Sequence, residues 1–302
     1  MTYVATLIAQ PAQPIPEALA RRAAAALPAA DMTWLDPGLA LDIPFTPDGA
    51  DDNRNVARRS RAALSALLDG APIDIVVQKA ASRRKRLLLA DMDSTMIGQE
   101  CLDELADYVG QKARVAAITE RAMRGEIAFE PALRERVALL AGLPATVVGE
   151  VIAQRITLTP GGPTLVHTMR ANGAHTCLVS GGFVQFTAPI AGLIGFAENR
   201  GNRLMVDAGD RFSGTVGEPI LGRDAKLKTL MELRKRLGLA AEETLVVGDG
   251  ANDLLMIEAA GLGVAYHAKP IVAEAASARI DHGDLTALLY AQGYRREEFV
   301  EE

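Results

Sequence analysis

The sequence contains few cysteines and few aromatic residues, and both shortages narrow what the protein can be. Its 302 residues include two cysteines, Cys101 and Cys177, with neither a CxxC pair nor another metal-binding spacing. We therefore expect no thiolate metal site, and a reducing, cytoplasmic setting fits this cysteine content. Aromatic residues make up only 4% of the chain, so the base-stacking surfaces of single-stranded nucleic-acid-binding proteins are not expected.

The sequence also has no excess of positive charge and no long apolar run. Lys and Arg total 32 against 38 Asp and Glu, a net charge of −6, which argues against a nucleic-acid partner. This balance still permits an anionic small substrate, because a local cation can reverse the field within one pocket. The N-terminal MTYVATLIAQPAQPIP lacks a basic segment before its apolar run, and no stretch approaches ~18 uninterrupted apolar residues. We expect no signal peptide, no transmembrane helix and no membrane partner.

Residues 1–80 alternate strand and helix patterns. The β-rich YVATLIA precedes the alanine-rich EALARRAAAAL, two extended pieces flank the turn signal Pro37-Gly38, and a second helix and a last strand, IDIVVQ, follow. The order β-α-β-β-α-β is typical of ferredoxin-like α+β domains. The next run, ASRRKR at 81–86, predicts an exposed basic linker, because such a run in an acidic chain is usually solvated.

Residues 87–302 change to a repeated strand, loop and helix pattern. Short, continuous apolar runs predict strands that are covered on both faces of a parallel sheet. These strands are expected at 87–90, 175–179, 244–247 and 263–266, with helices between them that include 163–172 and 224–237. The pattern predicts a doubly wound, mostly parallel α/β sheet, whose ligands bind beyond the carboxyl ends of the strands.

Two segments interrupt this core. About 97–158 shows helical periodicity without strand signals, so we expect a small helical cap that emerges from the loop after the first strand. Its position makes it a lid over that loop. Residues 202–217 predict a β-hairpin beside the core.

Polar clusters follow three of the predicted strands, as DMDST, SGGF and GDGANDLL. Asp91 and Asp93 point the same way in an extended segment, and Asp249 and Asp253 reach the same sheet edge from another strand. Four converging carboxylates would repel one another without a cation, and oxygen ligands favour Mg²⁺. A purely structural calcium loop of the EF-hand kind would need glycine where this chain has Met96.

DMDST, VSGGF, Lys226 and GDGANDLLM resemble the four ordered motifs of the haloacid dehalogenase-like phosphohydrolases. The resemblance covers residues 87 to about 290 and includes the helical cap. Within that superfamily, DSTMIGQE and ERAMRGEIAFEPALRERVALL resemble the phosphoserine phosphatases. The resemblance implies an Mg²⁺-dependent enzyme that hydrolyses O-phosphoserine in the last step of serine biosynthesis.

The resemblance also implies a role for each motif residue. Asp91 is expected to be the nucleophile that forms an aspartyl-phosphate, and Asp93 the general acid. Mg²⁺ is expected on the Asp91 and Asp249 side chains and the Asp93 backbone carbonyl, with Asp253 as a support for the metal or for Lys226. Lys226 would act as a compact cation on the phosphate and the nucleophile.

Phosphate contacts are expected from three further residues. The Ser180 hydroxyl and the Gly181 N–H would bind phosphate oxygens near a helix that begins around Phe183. Taken alone, the two glycines after Ser180 are equally typical of an ordinary turn. Asn252 is expected to contact the substrate or its phosphate.

Substrate choice is expected to depend on the cap. The resemblance places Glu100 on the substrate's ammonium and Arg136 on its carboxylate, for which a guanidinium fork is suited. Spacing alone leaves Arg134 and Arg136 equivalent. Met123 and Phe129 match apolar cap positions whose closure would exclude water, although ordinary cap packing explains them nearly as well.

Three hypotheses of different kinds remain open at this point. One is phosphoserine hydrolysis, and a second is a related phosphotransferase or a phosphatase for another small phosphomonoester. The third is an inactive protein that only binds an amino acid, against which the intact Asp91, Asp93, Asp249 and Lys226 argue. Residues 1–80 resemble ACT-type domains, so we expect them to serve in homodimer formation or in binding an amino-acid effector.

Overall fold

The computed structural model describes residues 1–28, 31–47, 53–123 and 126–301. Residues 3–79 form an antiparallel sheet with two helices, in the predicted order β-α-β-β-α-β. The elements are β1 (Tyr3–Ile8), α1 (Glu17–Ala25), β2 (Thr33–Asp36), β3 (Ala40–Phe45), α2 (Asn53–Leu68) and β4 (Asp74–Lys79). The strand order is β2-β3-β1-β4.

Alternation along β1 gives this sheet two buried faces. Tyr3, Ala5 and Leu7 belong to a core shared with α1 and α2. Ile8 belongs instead to the core of the second part of the chain. Because successive side chains of a strand point to opposite faces, one strand contacts both regions.

The second part of the chain is built on a parallel sheet and a separate hairpin. Its strands are β5 (Leu87–Ala90), β6 (His175–Phe183), β7 (Glu198–Asn202), β8 (Leu204–Val206), β9 (Phe212–Val216), β10 (Thr244–Gly248), β11 (Leu262–Tyr266) and β12 (Ala278–Ile280). The six-stranded sheet has the order β12-β11-β10-β5-β6-β7, and each neighbouring pair is parallel. β8 and β9 form the predicted hairpin.

Helices cover both faces of this sheet. They are α7 (Gly162–Ala171), α8 (Val184–Ile194), α9 (Arg223–Leu237), α10 (Leu254–Ala259), α11 (Pro270–Ala275) and α12 (Ala287–Ala291), after the cap helices α3 (Cys101–Tyr108), α4 (Lys112–Met123), α5 (Phe129–Ala138) and α6 (Val147–Arg155). Leu88 and Ala90 of β5 lie in one core, while Leu87 and Leu89 lie in the other. The predicted doubly wound sheet is therefore confirmed.

Among residues 97–123 and 126–158 the cap consists of the four helices α3 to α6 joined by turns, with isolated β-bridges at Ile97, Pro144 and Leu158. It is joined to the hairpin by backbone hydrogen bonds. Gly142 N–H donates to the Phe212 carbonyl (2.8 Å), and Phe212 N–H donates to the Leu143 carbonyl (2.8 Å). The hairpin therefore anchors the turn between α5 and α6.

The run 81–86 is exposed at Ala81, Arg84 and Arg86, as predicted, but the prediction of exposure is wrong for Lys85. Lys85 is 4% exposed, and its Nζ donates to the carbonyls of Ser82 (2.6 Å) and Glu242 (2.8 Å). Arg83 pairs with Asp42 of the N-terminal sheet at 2.5 Å. Sequence shows only the charge of such a run, whereas its burial depends on partners that are distant in the chain.

No helix among the described residues is both long and apolar enough to cross a bilayer.

Candidate active site

The ends of β5 and β10 bring two aspartates to one edge of the sheet. Asp91 N–H donates to the Val247 carbonyl at 3.0 Å, which continues the parallel pairing one residue beyond β5. Asp249 directly follows β10, the neighbouring strand. Because parallel strands end at the same edge, register alone makes these carboxylates neighbours.

Lys226 of α9 is held between two carboxylates. Its Nζ lies 2.7 Å from Asp91 Oδ1 and 2.6 Å from Asp253 Oδ1, and all three side chains are buried. Burial alone would lower the pKa of Lys226, but the charges of Asp91 and Asp253 outweigh it and raise that pKa. Lys226 is therefore a fixed cation next to Asp91.

The acidic cluster has the composition of a magnesium site. Carboxylate oxygens of Asp91, Asp249 and Asp253 lie within 4.8 Å of one another. Burial raises the pKa of Asp91 and the nearby Asp253 charge adds to this, so Lys226 by itself does not neutralise the cluster. A divalent cation with oxygen ligands would complete the neutralisation, and these donors suit Mg²⁺.

Asp253 is buried behind this cluster, where it binds Lys226 and the backbone of the same loop. It is fully buried, and its two oxygens accept hydrogen bonds from Lys226 Nζ (2.6 Å) and Gly250 N–H (3.1 Å). A Cβ at Gly248 would lie 2.5 Å from the Asp253 carboxylate, so the close approach requires glycine there. This geometry fits the predicted supporting role.

Asp93 turns its side chain away from the acidic cluster and toward β6. Ser180 Oγ donates to Asp93 Oδ2 at 3.0 Å, and Cys101 N–H donates to Asp93 Oδ1 at 2.9 Å. Ser180 Oγ in turn accepts the Gly182 N–H at 2.8 Å. The Asp93 side chain thus lies between the segment that follows β5 and residues 180–182 near the end of β6, which we call the serine loop.

Glu100 lies at the start of the cap, bound to the same loop. Its Oε1 accepts a hydrogen bond from Ser94 Oγ at 2.8 Å, and Ser94 has a left-handed φ of 55°. Burial, followed by the charge of Asp93, raises the pKa of Glu100 to about 7. A bound ammonium would offset both effects.

The structure separates Arg136 from Arg134, which spacing alone does not. Arg134 pairs with Glu218 at the surface. Arg136 is half-buried, with Nε donating to the Ala132 carbonyl (3.2 Å), and burial lowers its pKa while the charges of Asp103 and Glu100 oppose that effect. Arg136 is therefore the guanidinium that faces the acidic side of the cap.

The other two predicted residues whose side chains the structure describes lie in the cap and in the loop after β10. Phe129 Cζ is 3.7 Å from an ideal Cβ built on Gly181, so the cap contacts the serine loop. Asn252 is exposed in the loop after β10. Met123 ends α4, and the prediction for its side chain lies outside what the structure describes.

Three residues of the site were missed in the sequence. Thr95 is fully buried and donates to Asp249 Oδ1 at 3.3 Å, while Ser94 holds Glu100. Both belong to DMDST, so their closeness to Asp91 was an available signal. The third, Asn202, ends an edge strand with no motif around it, and no local signal marks it.

Comparison with known proteins gives a family match over most of the second part of the chain. Residues 88–258 match the model of haloacid dehalogenase-like hydrolases. A phosphoserine phosphatase of Albidiferax ferrireducens is 44% identical over 208 residues, which cover 68% of this chain and 88% of that protein. Phosphoserine phosphatase SerB2 of Mycobacterium tuberculosis is 41% identical over 78% of this chain, but the match spans only 58% of SerB2.

Solved structures agree with this match. A hydrolase of the same family from Salmonella enterica serovar Typhi has a TM-score of 0.83 at 27% identity, covering 96% of this chain and 98% of that one. A substrate-bound phosphoserine phosphatase has a TM-score of 0.63 at 38% identity, covering 68% of this chain and 97% of that one. The first of these likenesses therefore includes the N-terminal unit.

Proposed function

Because the chain belongs to the haloacid dehalogenase-like hydrolases, we propose that it hydrolyses O-phosphoserine to serine and phosphate with the help of Mg²⁺. The observation that carries this proposal is the pairing of Asp91 with Lys226 at 2.7 Å, next to Asp249 and below a cap that holds Glu100 and Arg136. Relatives named phosphoserine phosphatase support the choice of substrate.

The first half-reaction transfers the phosphoryl group to the protein. An oxygen of Asp91 attacks phosphorus, the bond from phosphorus to the serine oxygen breaks, and Asp93 gives that oxygen a proton. Negative charge spreads over the transferring group, so the fixed Lys226 cation stabilises it, and the Ser180 hydroxyl adds to this when its one proton turns from Asp93 to a phosphate oxygen. When bound, Mg²⁺ would lower the repulsion between the carboxylate and the phosphate.

The second half-reaction releases phosphate. Asp93 takes a proton from water, the water oxygen attacks phosphorus, and the bond to Asp91 breaks. The hydrogen bonds from Ser180 Oγ (3.0 Å) and the Cys101 N–H (2.9 Å), which hold the Asp93 carboxylate, support this double role. The cycle leaves Asp91 ionised and Asp93 protonated, as it began.

Opposite charges in the cap select the substrate. Glu100 would accept the ammonium and Arg136 would bind the carboxylate, so the two groups read the amino-acid part of phosphoserine. Phe129, which lies against the serine loop, would exclude water once the cap is closed.

A second candidate function is that of a related phosphotransferase, or of a phosphatase that acts on another small phosphomonoester. The charge pair Glu100 and Arg136 favours phosphoserine, because a substrate that is not a zwitterion would use only one of the two.

We place the reaction in the cytoplasm, which free buried thiols at Cys101 and Cys177 support. For residues 1–80, homodimer formation or effector binding stays the proposed role.

A phosphate-release panel tests this proposal. Phosphoserine, phosphothreonine, a sugar phosphate and an aryl phosphate would each be assayed with Mg²⁺ and with chelator. We expect phosphoserine to have the highest kcat/KM and every activity to require the metal. Preference for a substrate without an amino group and carboxylate would reject phosphoserine as the substrate. Full activity in the presence of chelator would reject the requirement for a metal.

A further inference from the structure

Asn202, at the end of β7, is 2% exposed, and both its amide nitrogen and its amide oxygen form hydrogen bonds with two loops of the site. Its Nδ2 donates to the carbonyls of Gly181 (2.8 Å) and Leu221 (3.2 Å). Its Oδ1 accepts the N–H of Leu221 at 2.7 Å. Rotating the amide by 180° would place donor against donor and acceptor against acceptor, so these partners fix its orientation.

The first loop that Asn202 binds is the serine loop. By holding the Gly181 carbonyl, Asn202 fixes the peptide plane between Gly181 and Gly182, whose N–H points the opposite way. That N–H donates to Ser180 Oγ at 2.8 Å, and Ser180 Oγ donates to Asp93 Oδ2 at 3.0 Å. One peptide plane therefore links Asn202 to the hydroxyl that orients Asp93.

The second loop leads into α9, which carries Lys226. Asn202 binds both the N–H and the carbonyl of Leu221, two residues before α9 begins at Arg223. Lys226 Nζ then contacts Asp91 at 2.7 Å. Ideal Cβ atoms on Gly181 and Gly222 both lie 3.7 Å from Phe129, so the cap rests on the two loops that Asn202 joins.

We propose that Asn202 is a positioning residue that sets the separation of the Ser180 hydroxyl and the Lys226 ammonium around the transferring phosphoryl group. This inference rests on the proposed phosphatase function. Asn202 itself touches neither the substrate nor the reacting atoms. It acts through the Gly181–Gly182 peptide on one side and through Leu221 on the other.

Substitution of Asn202 tests this role, with Asn199 on the same strand as the matched control. Asn202→Asp keeps the size and the acceptor for Leu221 but replaces both donors by an oxygen that faces two carbonyls. Asn199→Asp makes the same change where, among the described residues, the side-chain amide has one hydrogen bond, accepted from the Thr187 hydroxyl at 2.8 Å, and keeps that acceptor. Asn202→Ser is a second, smaller variant that relieves the repulsion of an added carboxylate.

The readouts are kcat/KM for phosphoserine and an aryl phosphate, together with the inhibition constant of orthovanadate, a mimic of the transferring phosphoryl group. We expect both Asn202 variants to lose about ten- to a hundredfold in kcat/KM on both substrates and to bind vanadate correspondingly more weakly. Asn199→Asp should resemble the wild type. The inhibition constant does not depend on how much enzyme is folded, so partial unfolding would not imitate this result.

A wild-type vanadate constant in both Asn202 variants would overturn the positioning role, whatever their specific activity. A wild-type protein that hydrolyses neither substrate would instead overturn the proposed phosphatase function. An enzyme that hydrolyses the aryl phosphate but not phosphoserine would reject the substrate and leave the test of Asn202 intact.

Discussion

At the scale of single residues, the chemistry of the site depends on carboxylates whose surroundings differ. Asp91 faces a fixed ammonium, Asp93 faces a hydroxyl, and Glu100 accepts a hydrogen bond from Ser94. Sequence located Asp91 and Asp93 because both leave the same strand end, whereas Glu100 was located through the family resemblance. It did not locate Asn202, since that residue acts through backbone groups of Gly181 and Leu221 that are 21 and 19 positions away.

Glu100 gives a prediction for pH dependence. With a pKa of about 7, the carboxylate that we propose for the substrate's ammonium would be largely protonated below neutrality and ionised above it. The ratio of kcat/KM for phosphoserine to that for an aryl phosphate should therefore rise with pH through about 7 and then level off. Dividing by the aryl phosphate removes titrations that belong to the chemistry common to both substrates.

Glu100→Gln is the control for this pH dependence. The variant should give a low ratio that does not change with pH, because the amide does not titrate. A wild-type ratio that stays flat from about pH 6 to pH 8.5 would remove Glu100 from ammonium binding.

At the scale of elements, the strands of the six-stranded sheet that sequence predicted are its four central ones, which are covered on both faces. β5, β6, β10 and β11 are central strands with continuous apolar runs, and each was predicted. β7 and β12 are the two edges of the sheet and were missed. Their sequences, ENRGN and ARI, are polar or very short, because an edge strand buries less and gains less from apolar side chains.

Helix α5 offers a test of substrate recognition with a control two residues away. Arg136→Ala should lower kcat/KM for phosphoserine by about ten- to a hundredfold more than for an aryl phosphate, since a charge-assisted contact contributes ~1.5–3 kcal/mol. Arg134→Ala removes a guanidinium that pairs with Glu218 at the surface, and should change both substrates equally. If Arg136→Ala lowers kcat/KM equally for both substrates, Arg136 does not bind the substrate's carboxylate.

At the scale of the whole molecule, the N-terminal unit is joined to the catalytic core by buried polar contacts. Asp74 of β4 is 3% exposed and accepts the N–H groups of Asp281 (2.8 Å), His282 (3.2 Å) and Gly283 (2.7 Å). Tyr290 Oη donates to Asp36 Oδ2 at 2.6 Å. Sequence predicted each unit from its own pattern, but not this joint, because its partners are more than 200 positions apart in the chain.

Asp74→Asn tests whether this joint stabilises the protein. The variant places amide donors against backbone donors and loses charge-assisted bonds, so we expect the free energy of unfolding to fall by ~1.5–3 kcal/mol in urea titrations. Asp69→Asn makes the same change at an exposed position of the same unit and should leave stability unchanged. Unfolding of Asp74→Asn that matches the wild type would contradict the role of this joint.

Chemical trapping of the phosphorylated residue tests whether Asp91 is the nucleophile of the proposed reaction. Enzyme mixed with phosphoserine and Mg²⁺ would be quenched in acid, reduced with borohydride, which converts an aspartyl-phosphate to homoserine, and analysed by peptide mass spectrometry. We expect homoserine at position 91 in the wild type and none in Asp91→Asn. Homoserine at 93 or 249, or a wild-type enzyme that turns over without any reducible intermediate, would contradict it.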